Sequence, residues 1–210
     1  MTRISAIGIA LLCILCVTSC GLKSRQTTTE SSSETGYSPV TTDTAATIVP
    51  LYAKGYTVKY LPHHVRLVDI HDPQKENGNT FHYALVPKGI KPVGIPSDYT
   101  VIETPVEHVM CMTSLQLSNF IRLDACDYVV GITSTRHLFN KEMNERLKSG
   151  ETVKIGIEGN FDNEVIMSMN PDVIFISPFK RGGYDAMREI GIPLVPHLGY
   201  KEMTPLGQAE

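Results

Sequence analysis

The most constraining feature of this chain is an alternation, from about Ile102 onward, between short β-branched runs and segments with helical spacing. Such an alternation is typical of a parallel sheet whose strands are joined by crossover helices. The pattern predicts five strands, at His108–Met112, Tyr128–Thr133, Val153–Gly156, Val173–Ser177 and Leu194–Pro196. We therefore expect a doubly wound α/β lobe over residues 101–204.

Helices are predicted between these strands from apolar residues three or four positions apart. The residues that mark them are Leu117, Phe120 and Ile121, then Met143 and Leu147, then Phe161, Val165 and Met169. The candidate caps are Ser114, Asn140 and Asn160 at helix starts and Gly150 and Gly191 at helix ends. In a sheet of this kind, ligands bind beyond the carboxyl ends of the strands, so the loops there form the expected ligand rim.

Residues 51–100 have a different pattern, in which apolar residues alternate with polar or small ones. The alternation includes Val58 and Tyr60 and continues through Phe81, and the segment Asp72–Asn79 supplies a turn. This pattern predicts a small antiparallel β-hairpin appendage before the lobe.

The N-terminus has the three parts of a secretory leader: Arg3, an apolar stretch over Ile7–Val17, and small residues leading to Cys20. The apolar stretch is too short for a spanning helix, which needs about 20 residues. The segment Val17–Cys20 resembles a bacterial lipobox. This resemblance implies that the signal peptide, residues 1–19, is removed and that lipidated Cys20 anchors the chain to a membrane on the periplasmic side of the cell envelope.

Residues 20–50 are rich in Ser and Thr and predict a disordered linker behind the anchor. Cys13 and Cys16 fall in the leader, so only Cys111 and Cys126 are candidates for a disulfide in an exported protein. The sequence leaves open whether they pair or stay as buried thiols. The formal net charge of -3 argues against a nucleic-acid partner.

The run Glu107–Glu210 resembles the N-terminal lobe of the periplasmic binding proteins for cobalamin, ferric siderophores and haem. The segment Gly159–Ile174 is similar to the family pattern G-x-N-x-E-x-I-x-x-L-x-P-D-L-V. Tyr128–Thr133 is similar to its R-V-V-G-V-T strand, and Ile190–Leu194 to its L-G-I-P-V segment. The resemblance implies a two-lobe protein with a long interlobe helix, of which residues 205–210 would be the start.

This resemblance also implies a function and a set of site residues. The chain would be the solute-binding subunit of an ABC importer, capturing a ferric siderophore, haem or cobalamin and delivering it to a permease dimer with its ATPase subunits. The implied ligand-contacting residues on the rim loops are Thr113, Ser114, His137, Asn160, Phe179, Arg181 and Tyr184. Glu164 matches the family's permease-docking glutamate, although a first-turn acid is also explained by the helix dipole.

Other functions stay open at this level. Gly-x-Ser-x-Gly, phosphate-loop and His-Glu-x-x-His motifs are absent from the sequence, so we predict no enzyme, no catalytic residue and no cofactor. A zinc or manganese transport subunit would need imidazole ligands, but period-two alternation places His63 and His64 on opposite faces, and we predict no metal site. A third alternative is a non-transporting envelope lipoprotein that mediates protein contacts.

Overall fold

The computed structural model describes residues 46–91, 93–157, 159–177 and 184–210. The chain divides into Met1–Val40 and Thr41–Glu210, and every element below belongs to the second unit. The predicted leader, Cys20 and most of the predicted linker lie outside the described residues, as do Phe179 and Arg181. Within the described ranges, each helix is too short or too polar to cross a bilayer.

The first part of the described chain forms a five-stranded sheet, called the mixed sheet below, in the order β1-β2-β3-β4-β5. Its strands are β1 (Thr47–Ile48), β2 (Tyr56–Tyr60), β3 (Arg66–Ile70), β4 (Phe81–Pro87) and β5 (Thr100–Thr104). Strands β1 to β4 pair antiparallel, whereas β5 runs parallel to β4. This sheet is larger than the predicted hairpin, because it also takes in residues 47–48 from the predicted linker and 101–104 from the predicted lobe.

The turn between β2 and β3 differs from the period-two expectation. Pro62–His64 forms one 3-10 turn, in which His63 and His64 both have positive φ, 60° and 61°. The two imidazoles therefore do not stand on opposite faces of a strand, since the alternation of side chains applies only to extended backbone.

The second part of the chain forms a parallel sheet flanked by a short hairpin. Its strands, in chain order, are β6 (Val109–Cys111), β7 (Val129–Ile132), β8 (Val153–Lys154), the hairpin strands β9 (Gly156–Ile157) and β10 (Asn160–Phe161), then β11 (Val173–Ile176) and β12 (Leu194–Pro196). The parallel sheet has the order β12-β11-β6-β7-β8, and all its neighbouring strands are parallel. The five strands predicted from sequence form this sheet.

Five helices accompany these strands: α1 (Ser114–Arg122), α2 (Lys141–Ser149), α3 (Asn163–Ser168), α4 (Asp185–Glu189) and α5 (Pro205–Ala209). Asn140 and Gly150 cap α2 as predicted. The predicted caps Ser114 and Asn160 are wrong, because Thr113 caps α1 and Asp162 caps α3. Phe161, expected on the α3 face, lies on β10 instead.

Helices cover both faces of the parallel sheet, as a doubly wound fold requires. Along β6, Val109 and Cys111 face a core shared with α1 and α2, whereas Met110 faces a second core shared with α3 and α4. Strand β11 alternates in the same way. The predicted doubly wound α/β class is confirmed.

The mixed sheet packs on the α/β part rather than standing apart from it. Tyr83 of β4 belongs to the core that contains α1 and α2, and its hydroxyl donates to the Leu194 carbonyl at 2.5 Å. The buried Glu202 carboxylate accepts from the N–H groups of Lys54 and Gly55 at 2.8 and 2.7 Å. The region expected to be an appendage is thus joined to the α/β part by both packing and hydrogen bonds.

Candidate functional site

The order of the parallel sheet locates the place where a doubly wound fold binds ligands. From β6 the chain proceeds outward to β7 and β8 on one side, while β11 and β12 lie on the other. The connections on the two sides therefore diverge between β6 and β11. Loops separate at such a switch point and leave a crevice outside the carboxyl ends of the strands.

A cleft of about 360 Å³, called the rim cleft below, opens at the carboxyl ends of β6, β7 and β8. Its lining residues are Met112, Thr113, Ser114, Thr133, Ser134, Thr135, Arg136, Lys154 and Ile157. Hydroxyl groups and two cationic groups therefore dominate its polar surface, and its described lining contains no carboxylate. Groups of these kinds bind polar or anionic ligands.

Hydrogen bonds within the loops hold the floor of the rim cleft. The Gln116 N–H donates to Thr113 Oγ1 at 3.3 Å, and the Thr113 N–H donates to Gln116 Oε1 at 3.0 Å, which together form a capping box at the start of α1. The buried Thr133 hydroxyl donates to the Met112 carbonyl at 2.9 Å. The loops after β6 and β7 are thus joined at their base.

The two cations of the rim cleft are exposed, and neither has an ion-pair partner among the residues that the structure describes. Other cations of the chain are paired: Arg146 contacts Asp127 and Glu151, each at 2.9 Å, and Lys201 contacts the buried Asp72. Arg136 and Lys154 therefore keep their charges available to a bound solute.

The β9–β10 hairpin forms one wall of the rim cleft. Gly156 has φ 92°, and a Cβ atom there would lie 2.6 Å from the Asn160 carbonyl oxygen, so only glycine fits. Next to this close approach of the two hairpin strands, Ile157 lines the cleft with 67% of its surface exposed. An apolar wall thus faces the polar floor.

The structure brings some of the predicted ligand residues together and leaves others apart. Thr113 and Ser114 line the rim cleft. His137 is exposed with φ 62° and lies near Phe139, with a ring-centroid distance of 6.3 Å, and Asn160 is exposed on β10. Neither His137 nor Asn160 lines the cleft.

Tyr184 occupies a different environment from the one expected. Its side chain is only 6% exposed and stacks on Phe161 at a centroid distance of 5.5 Å, within the core that contains α3 and α4. It is not part of the rim cleft lining. In this structure, Tyr184 stabilises the packing beneath the rim.

Arg136 and Lys154 were not among the site residues predicted from the sequence. Lys154 is the last residue of β8 and pairs in register with Ile132, the last residue of β7. The predicted strand continued to Gly156, so Lys154 was expected inside it; because β8 ends at Lys154 instead, this cation lies at the carboxyl edge where ligands bind.

A larger pocket of about 640 Å³ lies between the mixed sheet, α1 and the C-terminal segment. Its walls include Val68, Ile70 and Phe175, and at its edge His197 Nε2 lies 3.3 Å from the Asn119 side-chain nitrogen. Burial lowers the pKa of His197. This pocket has less to offer a polar solute, since the Glu202 carboxylate is already occupied by backbone N–H groups.

Within the described ranges, no three side chains of His, Cys, Asp or Glu are arranged to hold one metal ion. His82 instead contacts Asp69 across β3 and β4 at 2.7 Å, and the Tyr99 hydroxyl donates to the same carboxylate at 2.8 Å. Cys111 and Cys126 are both buried free thiols.

The chain is similar over its whole length to a curated sequence. In an alignment of 233 positions, the chain is 24% identical to an uncharacterized lipoprotein of Methanocaldococcus jannaschii, MJ0878. The match covers 100% of this chain and 55% of the relative. The chain spans about half the length of this curated relative. No family model matches the chain.

Several solved structures are similar to parts of the chain. The apo haem-binding protein RhuT from Roseiflexus sp. RS-1 is 21% identical with a TM-score of 0.36, covering 43% of this chain and 33% of its own. The molybdate-binding protein MolA of Haemophilus influenzae is 19% identical with a TM-score of 0.39, covering 49% and 34%. An Fe3+-hydroxamate transport protein from Saccharomonospora viridis is 19% identical with a TM-score of 0.35, covering 48% and 36%.

Proposed function

We propose that this chain is the solute-binding part of a lipid-anchored subunit of an ABC importer, and that the rim cleft is its solute site. The observation that carries the proposal is the position of the cleft. It lies at the carboxyl ends of β6, β7 and β8, the edge of a doubly wound sheet at which ligands bind, and is lined by hydroxyl-bearing and cationic residues suited to binding. The proposed role is binding without catalysis, as the resemblance of Glu107–Glu210 to solute-binding proteins implies.

The proposed cargo is an iron chelate, namely a ferric siderophore or haem, or cobalamin. This choice rests on the resemblance of Glu107–Glu210 to the binding proteins for these compounds. The lipobox-like segment before Cys20 and the description of the full-coverage relative as a lipoprotein both support membrane anchoring. Thr113 and Ser114 keep their proposed ligand-contacting roles in the rim cleft. Phe179, Arg181, His137 and Asn160 are proposed to contact the part of the solute outside the cleft. Tyr184 is proposed instead to support the rim from below, because it is buried against Phe161.

Glu164 is proposed to dock on the permease. It lies in the first turn of α3 and is exposed, as a docking carboxylate must be. In a reconstituted importer, Glu164→Lys should lower solute uptake while leaving solute affinity unchanged. The matched control is Glu103→Lys on β5, an exposed acid on the other sheet, which should leave uptake unchanged.

The function as a whole is tested by thermal unfolding of the full chain, purified in a mild detergent, with haemin, ferrichrome, ferric citrate, cyanocobalamin or zinc added. A ligand that binds only the folded state raises its stability by mass action, so the cargo should raise the melting temperature in a concentration-dependent way. Circular dichroism of the unliganded chain confirms that it is folded.

If zinc is the only one of these compounds that raises the melting temperature, the result would instead favour the metal-transport alternative. A folded chain whose melting temperature responds to none of these compounds would contradict solute binding. That result would favour an envelope lipoprotein that mediates protein contacts, for which exposed apolar side chains such as Val49 and Leu51 on the segment after β1 are the candidate surface.

A further inference from the structure

We propose that the rim cleft selects solutes that carry anionic oxygen atoms, and that Arg136 and Lys154 are its specificity-determining residues. This inference rests on the proposed function, because it names the class of solute that the same cleft binds. The relevant chemistry is a carboxylate, phosphate or related oxyanion, present either as a free ion or as an anionic arm of a larger chelate.

The two cations come from adjacent strands and converge on one cleft. Lys154 ends β8 in register with Ile132 of β7, and the Ile155 N–H donates to the Ile132 carbonyl at 3.0 Å, which continues the pairing beyond the strand. Arg136 lies in the loop that follows β7. Both residues line the same cleft.

Their charges are not neutralised within the described part of the protein. Neither cation makes an ion pair there, and the described lining of the cleft contains no carboxylate. Two positive charges at one concave surface raise the local potential and concentrate anions. A neutral solute would gain nothing from this potential, so the arrangement discriminates by charge.

The hydroxyl groups and the start of α1 provide matching hydrogen-bond donors. Ser134 Oγ accepts from the Arg136 N–H at 3.2 Å, so its own proton can be donated to a solute. The capping box occupies the N–H groups of Thr113 and Gln116 at the start of this nine-residue helix. The N–H groups of Ser114 and Leu115 have no intrahelical acceptor and lie at the positive end of the helix dipole.

The size of the cleft limits how much of a solute it can enclose. Its volume of about 360 Å³ lies near the lower end of the roughly 300–1,000 Å³ usual for small-molecule pockets. A small oxyanion would fit entirely inside. A haem or ferric chelate would place only an anionic arm there, with its apolar body toward exposed Ile157.

Isothermal titration calorimetry on the full chain in a mild detergent tests the inference. The anionic probes are molybdate, inorganic phosphate, ferric citrate and haemin, and the neutral probes are ferrichrome and cyanocobalamin. The variants are Arg136→Gln and Lys154→Gln, with Arg136→Lys as the charge-conserving change. Lys148→Gln is the matched control, because it removes the same charge from the exposed face of α2, away from the cleft.

We expect at least one anionic probe to bind at least tenfold more tightly than either neutral probe. Arg136→Gln and Lys154→Gln should each weaken that binding by about tenfold or more, as expected for loss of a charge-assisted hydrogen bond. Arg136→Lys should keep most of the affinity, and Lys148→Gln all of it. Binding of molybdate or phosphate identifies a free oxyanion as the solute, whereas binding of haemin or ferric citrate alone identifies an anionic arm.

Two results would overturn the inference and leave the proposed function intact. One is a neutral probe that binds as tightly as any anionic one. The other is an anionic probe whose affinity is unchanged in both Arg136→Gln and Lys154→Gln. If the folded chain binds no probe of either class, both the inference and the proposed function fail.

Discussion

The hydroxyl of Thr133 donates to the main-chain carbonyl of Met112 at 2.9 Å, so a single buried hydrogen bond joins the loops that follow β6 and β7. These loops carry most of the hydroxyl groups of the rim cleft. Thr133 therefore shapes the proposed solute site through this hydrogen bond, and its hydroxyl proton is not available to a solute.

Thr133→Val should destabilise the folded chain by about 1–2 kcal/mol, since valine keeps the shape but leaves a buried carbonyl without its donor. Urea denaturation followed by circular dichroism measures the change. Thr135→Val is the control, because its hydroxyl makes no hydrogen bond within the described residues, and it should change the stability by less than about 0.5 kcal/mol. Equal effects of the two changes would show that the hydroxyl of Thr133 does not join the loops.

Gly156→Ala should be more destabilising than Gly159→Ala, although both replace a glycine of positive φ in the same hairpin. At Gly159 (φ 83°) the added Cβ meets open space, so only backbone strain of about 1–2 kcal/mol is expected. At Gly156 the same backbone strain is accompanied by a steric clash, because the added Cβ would lie 2.6 Å from the Asn160 carbonyl oxygen. In thermal unfolding, Gly156→Ala should have a lower melting temperature than Gly159→Ala. The reverse order would contradict this hairpin geometry.

Cys111 and Cys126 should resist alkylation in the native protein. Burial raises the pKa of Cys111 to about 12 and that of Cys126 to about 11, so the reactive thiolate is scarce at pH 8. Mass spectrometry after iodoacetamide treatment should find both peptides unmodified in the folded chain and modified in urea. Failure to alkylate either thiol in urea without reductant would instead indicate a disulfide between them.

Asp172 should contribute to the acid sensitivity of the fold. Burial alone would raise its pKa, but the N–H groups of His108 and Glu107, at 2.9 and 2.7 Å, favour the carboxylate, and the net pKa lies below 3.8. A lowered folded-state pKa gives stability that is present above the unfolded-state value and is lost as the pH falls through the folded one.

Asp172→Asn should therefore cost stability at pH 7 and progressively less below pH 3.8, so that the two stability curves converge in acid. Urea midpoints measured between pH 7 and pH 2.5 test this expectation. Glu103→Gln, an exposed change on β5, should follow the wild-type curve throughout. Curves for Asp172→Asn and wild type that stay parallel would show that the carboxylate is not specifically stabilised in the fold.

The parallel sheet could be predicted because its signals are local. Each buried strand, such as Val173–Ile176, is a short β-branched run between polar or helical segments, and such runs carry their own preference for extended structure. The helix caps were less predictable. Asp162 and the nearby Asn160 both carry a side-chain oxygen that can cap a helix. Asn160 pairs with Ile157 on β10, which leaves Asp162 to accept from the Val165 N–H.

Other features depend on contacts between distant parts of the chain. Strand β5 joins the mixed sheet by pairing in parallel with β4, and nothing in its own residues distinguishes it from a strand of the lobe. The family resemblance implied that Tyr184 contacts a ligand at the rim, whereas in the structure it stacks on Phe161 in the core. The cation pair of the rim cleft likewise becomes visible only when β7 and β8 are placed side by side.

The hydrogen bond from Tyr83 to Leu194 joins the outermost strand of the parallel sheet to the mixed sheet, whose apolar face covers Phe175 and Val195. In most α/β proteins that position would be covered by another helix. Residues 101–210 produced alone would expose this surface to water and should aggregate. The N-terminal strands are therefore an integral part of the folding unit, and expression of the protein for study should begin before residue 46.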